Sequence, residues 1–88
     1  MLLKEHRGFQ IHLAEGGYQD AKELTGHGYD PLGTGNGYSS RGVAQAQVSK
    51  LIDREFHGLN NGQLFAVYQD ANTSKFYILA SRIQGAAS

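Results

Sequence analysis

Cysteine is absent from this 88-residue chain, which excludes disulfides and thiolate chemistry. Net charge is absent too. Eight Lys and Arg balance eight Asp and Glu, with four basic and five acidic residues before residue 43 and four and three from there on. A neutral chain lacks the basic footprint of a bulk nucleic-acid binder, and by net charge it is not an acidic mimic of nucleic acid. Long apolar runs are also missing. Met1, Leu2 and Leu3 are followed at once by Lys4, Glu5, His6 and Arg7, so no secretory signal or membrane span is expected, and the expected location is the cytoplasm. Proline occurs once against twelve glycines, a bias toward special backbone. The length implies a single domain over residues 1–88, with one small core.

What is present is organised around residues 39–58. Ala44, Val48, Leu51, Ile52 and Phe56 recur at helical spacing, while Gln45, Ser49, Lys50, Asp53 and Arg54 take the other face. Ser39 or Ser40 can cap the start, and Gly58 can take the left-handed position that closes the end. This predicts a helix over residues 40–57. Upstream, Phe9, Ile11 and Leu13 alternate with Gln10 and His12, the pattern of a half-buried strand, with residues 1–7 as a loose lead-in. Residues 18–24 allow two helical turns, stopped by Gly26. Downstream, residues 63–69 and 75–83 are β-prone runs separated by a polar reversal and read as a hairpin.

These elements predict an α+β fold. Its sheet is three-stranded and antiparallel in the order 2-3-1, the last strand central because it is the most hydrophobic. One main amphipathic helix lies on one face, and a short helix plus a long glycine-rich loop follow strand 1. Phe9, Ile11 and Leu13 are expected to meet Val48, Leu51, Ile52 and Phe56, each fully buried side chain contributing roughly 1.5–3 kcal/mol.

Residues 26–42 hold half of the twelve glycines and show no period. Loops of this length are usually functional or disordered, and Tyr29, Leu32 and Tyr38 argue against plain disorder. Tyr29, Leu32, Asn36, Tyr38 and Arg41 are the candidate partner-binding residues: aromatics spaced by glycines present contact area on an adaptable backbone. Arg41 stands where a helix start disfavours a cation, which a binding role would explain.

Other constellations point nowhere specific. Gly33, Gly35 and Gly37 before a helix suggest a phosphate loop, but no Gly-Lys-Ser/Thr follows and no strand precedes directly. His6, His12, His27 and His57 lack metal-ligand spacing. Ser39, Ser40, His27 and Asp30 form no recognised catalytic arrangement, and the chain has little room for both a core and a pocket of ~300 Å³ or more. No enzyme activity, cofactor or metal is expected. Tyr18, Tyr29, Tyr38, Tyr68 and Tyr77, where exposed, suit protein contacts.

Two stretches resemble parts of small anti-CRISPR proteins carried by phages and mobile elements. Gly8-Phe9-Gln10-Ile11-His12-Leu13-Ala14-Glu15-Gly16 resembles the first strand of one such group. Ala44-Gln45-Ala46-Gln47-Val48-Ser49-Lys50-Leu51, then Leu59-Asn60-Asn61-Gly62-Gln63-Leu64, resembles its helix, turn and next strand. The match covers about a third of the chain. That group is acidic and lacks this glycine-rich loop, so nucleic-acid mimicry does not carry over. The resemblance implies a small inhibitor that occludes a larger protein or ribonucleoprotein complex of the host cell. Direct nucleic-acid binding and membrane association are not expected, and a homodimer is allowed. The alternatives are a nucleic-acid-binding accessory protein using Arg41, Lys50, Arg54 and the glycine-rich loop, or a small ligand-binding protein or enzyme using the residue 26–42 loop.

Overall fold

A computed structural model describes residues 1–31, 37–55 and 64–81. Six elements follow in order: β1 (Leu2–His6), β2 (Phe9–Leu13), α1 (Tyr18–Leu24), α2 (Arg41–Glu55), β3 (Leu64–Gln69) and β4 (Phe76–Ala80). They form an α+β domain with one four-stranded mixed sheet in the order β1-β2-β3-β4. β2 and β3 are adjacent and parallel, Gln10 to Leu13 pairing with Leu64 to Val67. β1 with β2, and β3 with β4, are antiparallel.

The three-stranded antiparallel sheet in the order 2-3-1 is therefore corrected in three respects. The expected lead-in is β1, joined to β2 by a two-residue turn in which Arg7 (φ 53°) and Gly8 (φ 85°) both take positive φ, as a type I′ hairpin requires. The strand before α1 and the strand after α2 are not separated by the last strand but pair with each other directly, in parallel. The central position belongs to β3, not to the most apolar strand. β4 is apolar because both of its faces are covered: Ile78 and Ala80 join the core under α2, and Leu79 packs on the α1 side.

The predicted apolar face of the long helix is the one buried. Ala44, Val48, Leu51 and Ile52 meet Phe9, Ile11, Phe65, Val67, Ile78 and Ala80. Phe9 and Phe65 pack edge to face, ring centres 6.2 Å apart. Leu13 stays half-buried at the end of β2. Ser40 is the cap, its Oγ accepting the Val43 N–H at 3.2 Å. Phe56, His57 and Gly58, the Asn60-Asn61-Gly62 turn, and the ends of the predicted hairpin strands at Gln63, Arg82 and Ile83 lie outside the described residues.

The sheet's other face is covered in part by α1, whose Ala21 packs with Ala14, Ala66 and Leu79. α1 ends in a Schellman arrangement: Gly26 (φ 62°) donates to the Glu23 carbonyl, and His27 donates to the Lys22 carbonyl. The two helices lie on opposite faces, so the chain between them must round an edge. It rounds β4. Tyr29 exchanges two backbone hydrogen bonds with Ala80, and Tyr38 exchanges two with Phe76, at 2.8–2.9 Å. Gly28 permits this approach, since a Cβ there would sit 2.0 Å from the Ala80 carbonyl oxygen. On the opposite edge, β1 carries Lys4, Glu5 and an irregularity between Leu2 and Lys4, features that discourage strand addition.

Asp53 of α2 ties the hairpin to the helix. One carboxylate oxygen accepts from the Arg7 guanidinium at 2.6 Å and lies 2.8 Å from His6 Nε2. These hydrogen bonds, from His6 and then Arg7, hold the Asp53 carboxyl below its usual value. Among the described residues no helix is long and apolar enough to cross a membrane.

Two predictions follow from the packing. Leu51→Ala lowers stability by about 2–5 kcal/mol in chemical denaturation; a loss of about 0.5 kcal/mol, typical of surface positions, would place the helix face elsewhere. Because the Asp53 pKa is depressed on folding, its contribution is present above the ordinary carboxylate value and is lost as pH falls through the lower folded value. Asp53→Asn should therefore be less stable than the parent near neutrality, the gap closing on acidification, as read by circular dichroism melts across pH.

Candidate functional site

Pleating sorts the tyrosines before any side chain is considered. Tyr68 and Tyr77 are direct cross-strand partners and share the α1-side face with Ala66 and Leu79. Their rings stack at 5.7 Å with planes 24° apart. Tyr18, the first residue of α1, brings its ring to 5.6 Å from Tyr68 at a tilt of 57°. One helical turn later, Lys22 places its ammonium 5.4 Å from the Tyr18 ring centre. The result is a row of three aromatic rings from helix to outer strand, with Tyr18 half exposed at 50%. Burial raises the Tyr68 phenol above its ordinary pKa, and the neighbouring Tyr18, Asp30, Asp70 and Tyr77 push it the same way. The Tyr68 phenol thus remains a neutral hydrogen-bonding group at physiological pH.

Beside the row lies a cleft of about 940 Å³. It opens at the carboxyl ends of the parallel pair β2 and β3, where ligands collect in open α/β sheets. Leu13, Ala14 and Phe76 supply apolar surface, and the Gly16–Gly17 turn, the Ser40–Gly42 start of α2 and the Gln69–Ala71 reversal supply the rest. Gly17 needs to be glycine at φ 81°. The Gly16 N–H is held by Asp20 at 3.1 Å. Tyr18, Tyr68 and Tyr77 are each next in the chain to a cleft-lining residue, but strand side chains alternate, so Tyr68 and Tyr77 lie on the α1-side face while Phe76 of the cleft packs on the α2 side. The cleft stands outside the sheet, so it takes no volume from the core. That is how so short a chain holds both.

Of the five residues singled out in the sequence, the three described ones do not form one cluster: Tyr29 and Tyr38 lie along β4 and Arg41 at the start of α2. Tyr29 lies on the β4 edge, 36% exposed, paired through its backbone. Tyr38 is pinned four strand positions away and packs partly against the core beside Phe76. Burial, then Asp30, raises the Tyr38 phenol above its ordinary pKa. Arg41 opens α2, exposed, on the lip of the cleft. Leu32 and Asn36 lie outside the described residues. Gly37 (φ 70°) touches the row, since a Cβ there would come within 2.9 Å of the Tyr77 ring. What single-residue inspection missed was the convergence of Tyr18, Tyr68 and Tyr77. The available signal was the short polar reversal, which the structure closes over residues 70–75 to set Tyr68 opposite Tyr77.

The remaining polar groups serve the fold. His12 Nε2 lies 2.9 Å from Gln10 Oε1, and burial, then the N-terminal charge, lowers its pKa. Buried Thr25 donates to the Ala21 carbonyl and accepts from the Gly28 N–H. No group of three or more His, Cys, Asp or Glu able to hold a metal occurs among the described residues.

The two tyrosines of the loop should separate in mutagenesis. Tyr38→Ala removes a ring packed on the core and is expected to cost about 1–3 kcal/mol. Tyr29→Ala removes a more exposed ring while keeping the backbone bridge, and should cost less. Denaturation curves of both variants check the order; equal losses would mean that both rings complete the core.

Comparison with protein-family models, curated proteins and solved structures finds no match to this chain.

Proposed function

We propose that this chain acts by binding another protein, as an inhibitor that occludes a larger protein or ribonucleoprotein complex. The observation that carries the reading is the row of Tyr18, Tyr68 and Tyr77 on the sheet face that α2 does not cover. Tyrosine is enriched among the residues that dominate binding energy at protein interfaces, because it buries a large apolar ring and keeps a hydroxyl for one hydrogen bond. Three such rings, one pair stacked and the third tilted against it, are already in contact and lose little side-chain freedom on association. Tyr29, exposed on the β4 edge, would widen the contact. The anti-CRISPR resemblance in the first strand and the long helix supplies the inhibitor part of the reading and its phage setting. The balanced charge supports a protein partner over nucleic acid, since few cations are available for counterion release.

The test is a pull-down from bacterial lysate with the tagged chain and with a Tyr18→Ala, Tyr77→Ala double variant, identifying both protein and nucleic acid in the eluates. The expected result is a discrete protein or ribonucleoprotein held by the parent chain. The double variant should weaken it by about 30-fold or more at an unchanged melting temperature, the effect of losing a hot spot. Tyr18→Ala alone serves if loss of Tyr77 lowers the melting temperature. Protein-free nucleic acid in the eluate, or a partner retained equally by the variants, overturns the reading.

A further inference from the structure

We propose that the cleft at the carboxyl ends of β2 and β3 is a second binding site, one that takes a short zwitterionic peptide bearing apolar side chains. Its charges stand on different walls. Arg41 is on the lip formed by α2, Glu15 leads into α1 on the other face of the sheet, and Asp70 closes the end of β3. None of the three is joined to another across the cleft: the ion pairs among the described residues are His6 and Arg7 with Asp53, and Arg54 with Glu55. An occupant with a carboxylate at Arg41 and an ammonium at Glu15 and Asp70 neutralises both walls at once, whereas a simple anion or cation leaves one wall opposed. Between the charges, half-buried Leu13 and Phe76 offer apolar surface to side chains.

Size selects a peptide over a single amino acid. The cleft of about 940 Å³ is at the upper end for small-ligand sites. An extended tripeptide separates its terminal charges by about 10 Å, whereas a single amino acid holds both on one carbon. Gly42 fits the same account. A Cβ there would meet nothing closer than Ser40 Oγ at 4.0 Å, so packing does not demand glycine at a helical position where alanine is more stable. Its bare backbone keeps the cleft open beside Arg41. This site is independent of the tyrosine row: the row presents rings to a broad surface, and the cleft presents opposite charges to the two ends of one small molecule.

The test titrates the whole chain with trileucine, followed by calorimetry and by amide chemical shifts, beside N-acetyl-trileucine and trileucine amide. Trileucine is expected to bind at about millimolar affinity or tighter, and each blocked form about tenfold or more weaker, the loss of one charge-assisted pair. Arg41→Ala should weaken trileucine by about tenfold and leave the amide unchanged. Glu15→Gln with Asp70→Asn should weaken trileucine and leave the acetylated form unchanged. Absence of trileucine binding overturns the proposal, as does equal binding of all three peptides. Partner capture lost on substituting Tyr18 and Tyr77, with trileucine binding intact, shows the two surfaces to be separate.

Discussion

Parallel pairing of β2 with β3 forces most of what surrounds it. Antiparallel neighbours can be joined by a tight turn, but parallel ones need a long crossover. Here the crossover carries both helices, and it places them on opposite faces of the sheet. A chain that changes face has to pass an edge. It passes β4, and the backbone bridges at Tyr29 and Tyr38 turn that passage into edge protection. The glycine-rich stretch is thus part of the architecture at its two ends: Gly28 lets the chain approach Ala80, and Gly37 lets it pass the Tyr77 ring.

The same constraint creates the candidate site. Parallel strands end on the same side, so the turn after β2, the turn after β3 and the start of α2 meet at one end of the sheet. The cleft is the space they leave. The hairpin from β3 to β4 then sets Tyr68 beside Tyr77, and the start of α1 adds Tyr18. Core and site divide the two faces between them. Under α2 the sheet is packed by large side chains, Phe9, Phe65 and Ile11 among them. Under α1 the contacts are mostly alanines, which let a seven-residue helix sit close and leave the aromatic rings at its margin.

Local chemistry is consistent with this arrangement at several levels. The Arg7–Gly8 turn matches the twist of the hairpin, Ser40 caps α2, and Gly26 ends α1 in a left-handed conformation. Asp53 links the first hairpin to the long helix through two partners, fixing β1 to the core from outside it. Departures from local preference gather at the cleft, where Arg41 stands at a helix start that disfavours cations and Gly42 follows it. Such departures are expected where a surface serves binding instead of stability.

The sequence by itself determined the helices, the buried face of the long one, the β2 strand and the β3–β4 hairpin. Each is a matter of period, capping or turn chemistry within a few residues, and Ala44, Val48, Leu51 and Ile52 carry their signal in their spacing alone. It also placed half of the glycines and three tyrosine-bearing elements in view. Strand order was another matter. Apolar content marked β4 as buried, but a strand is buried equally by flanking strands and by helices with a loop at its edge, so burial does not specify neighbours. β1 was hidden because Lys4, Glu5 and Arg7 belong to an edge strand and its turn, which stay charged. Only the tertiary structure decided that β2 and β3 are neighbours and so pair in parallel. From that pairing came the cleft and the approach of Tyr18 to the Tyr68–Tyr77 pair of the hairpin, Tyr18 and Tyr68 being fifty residues apart in the chain and joined by packing alone.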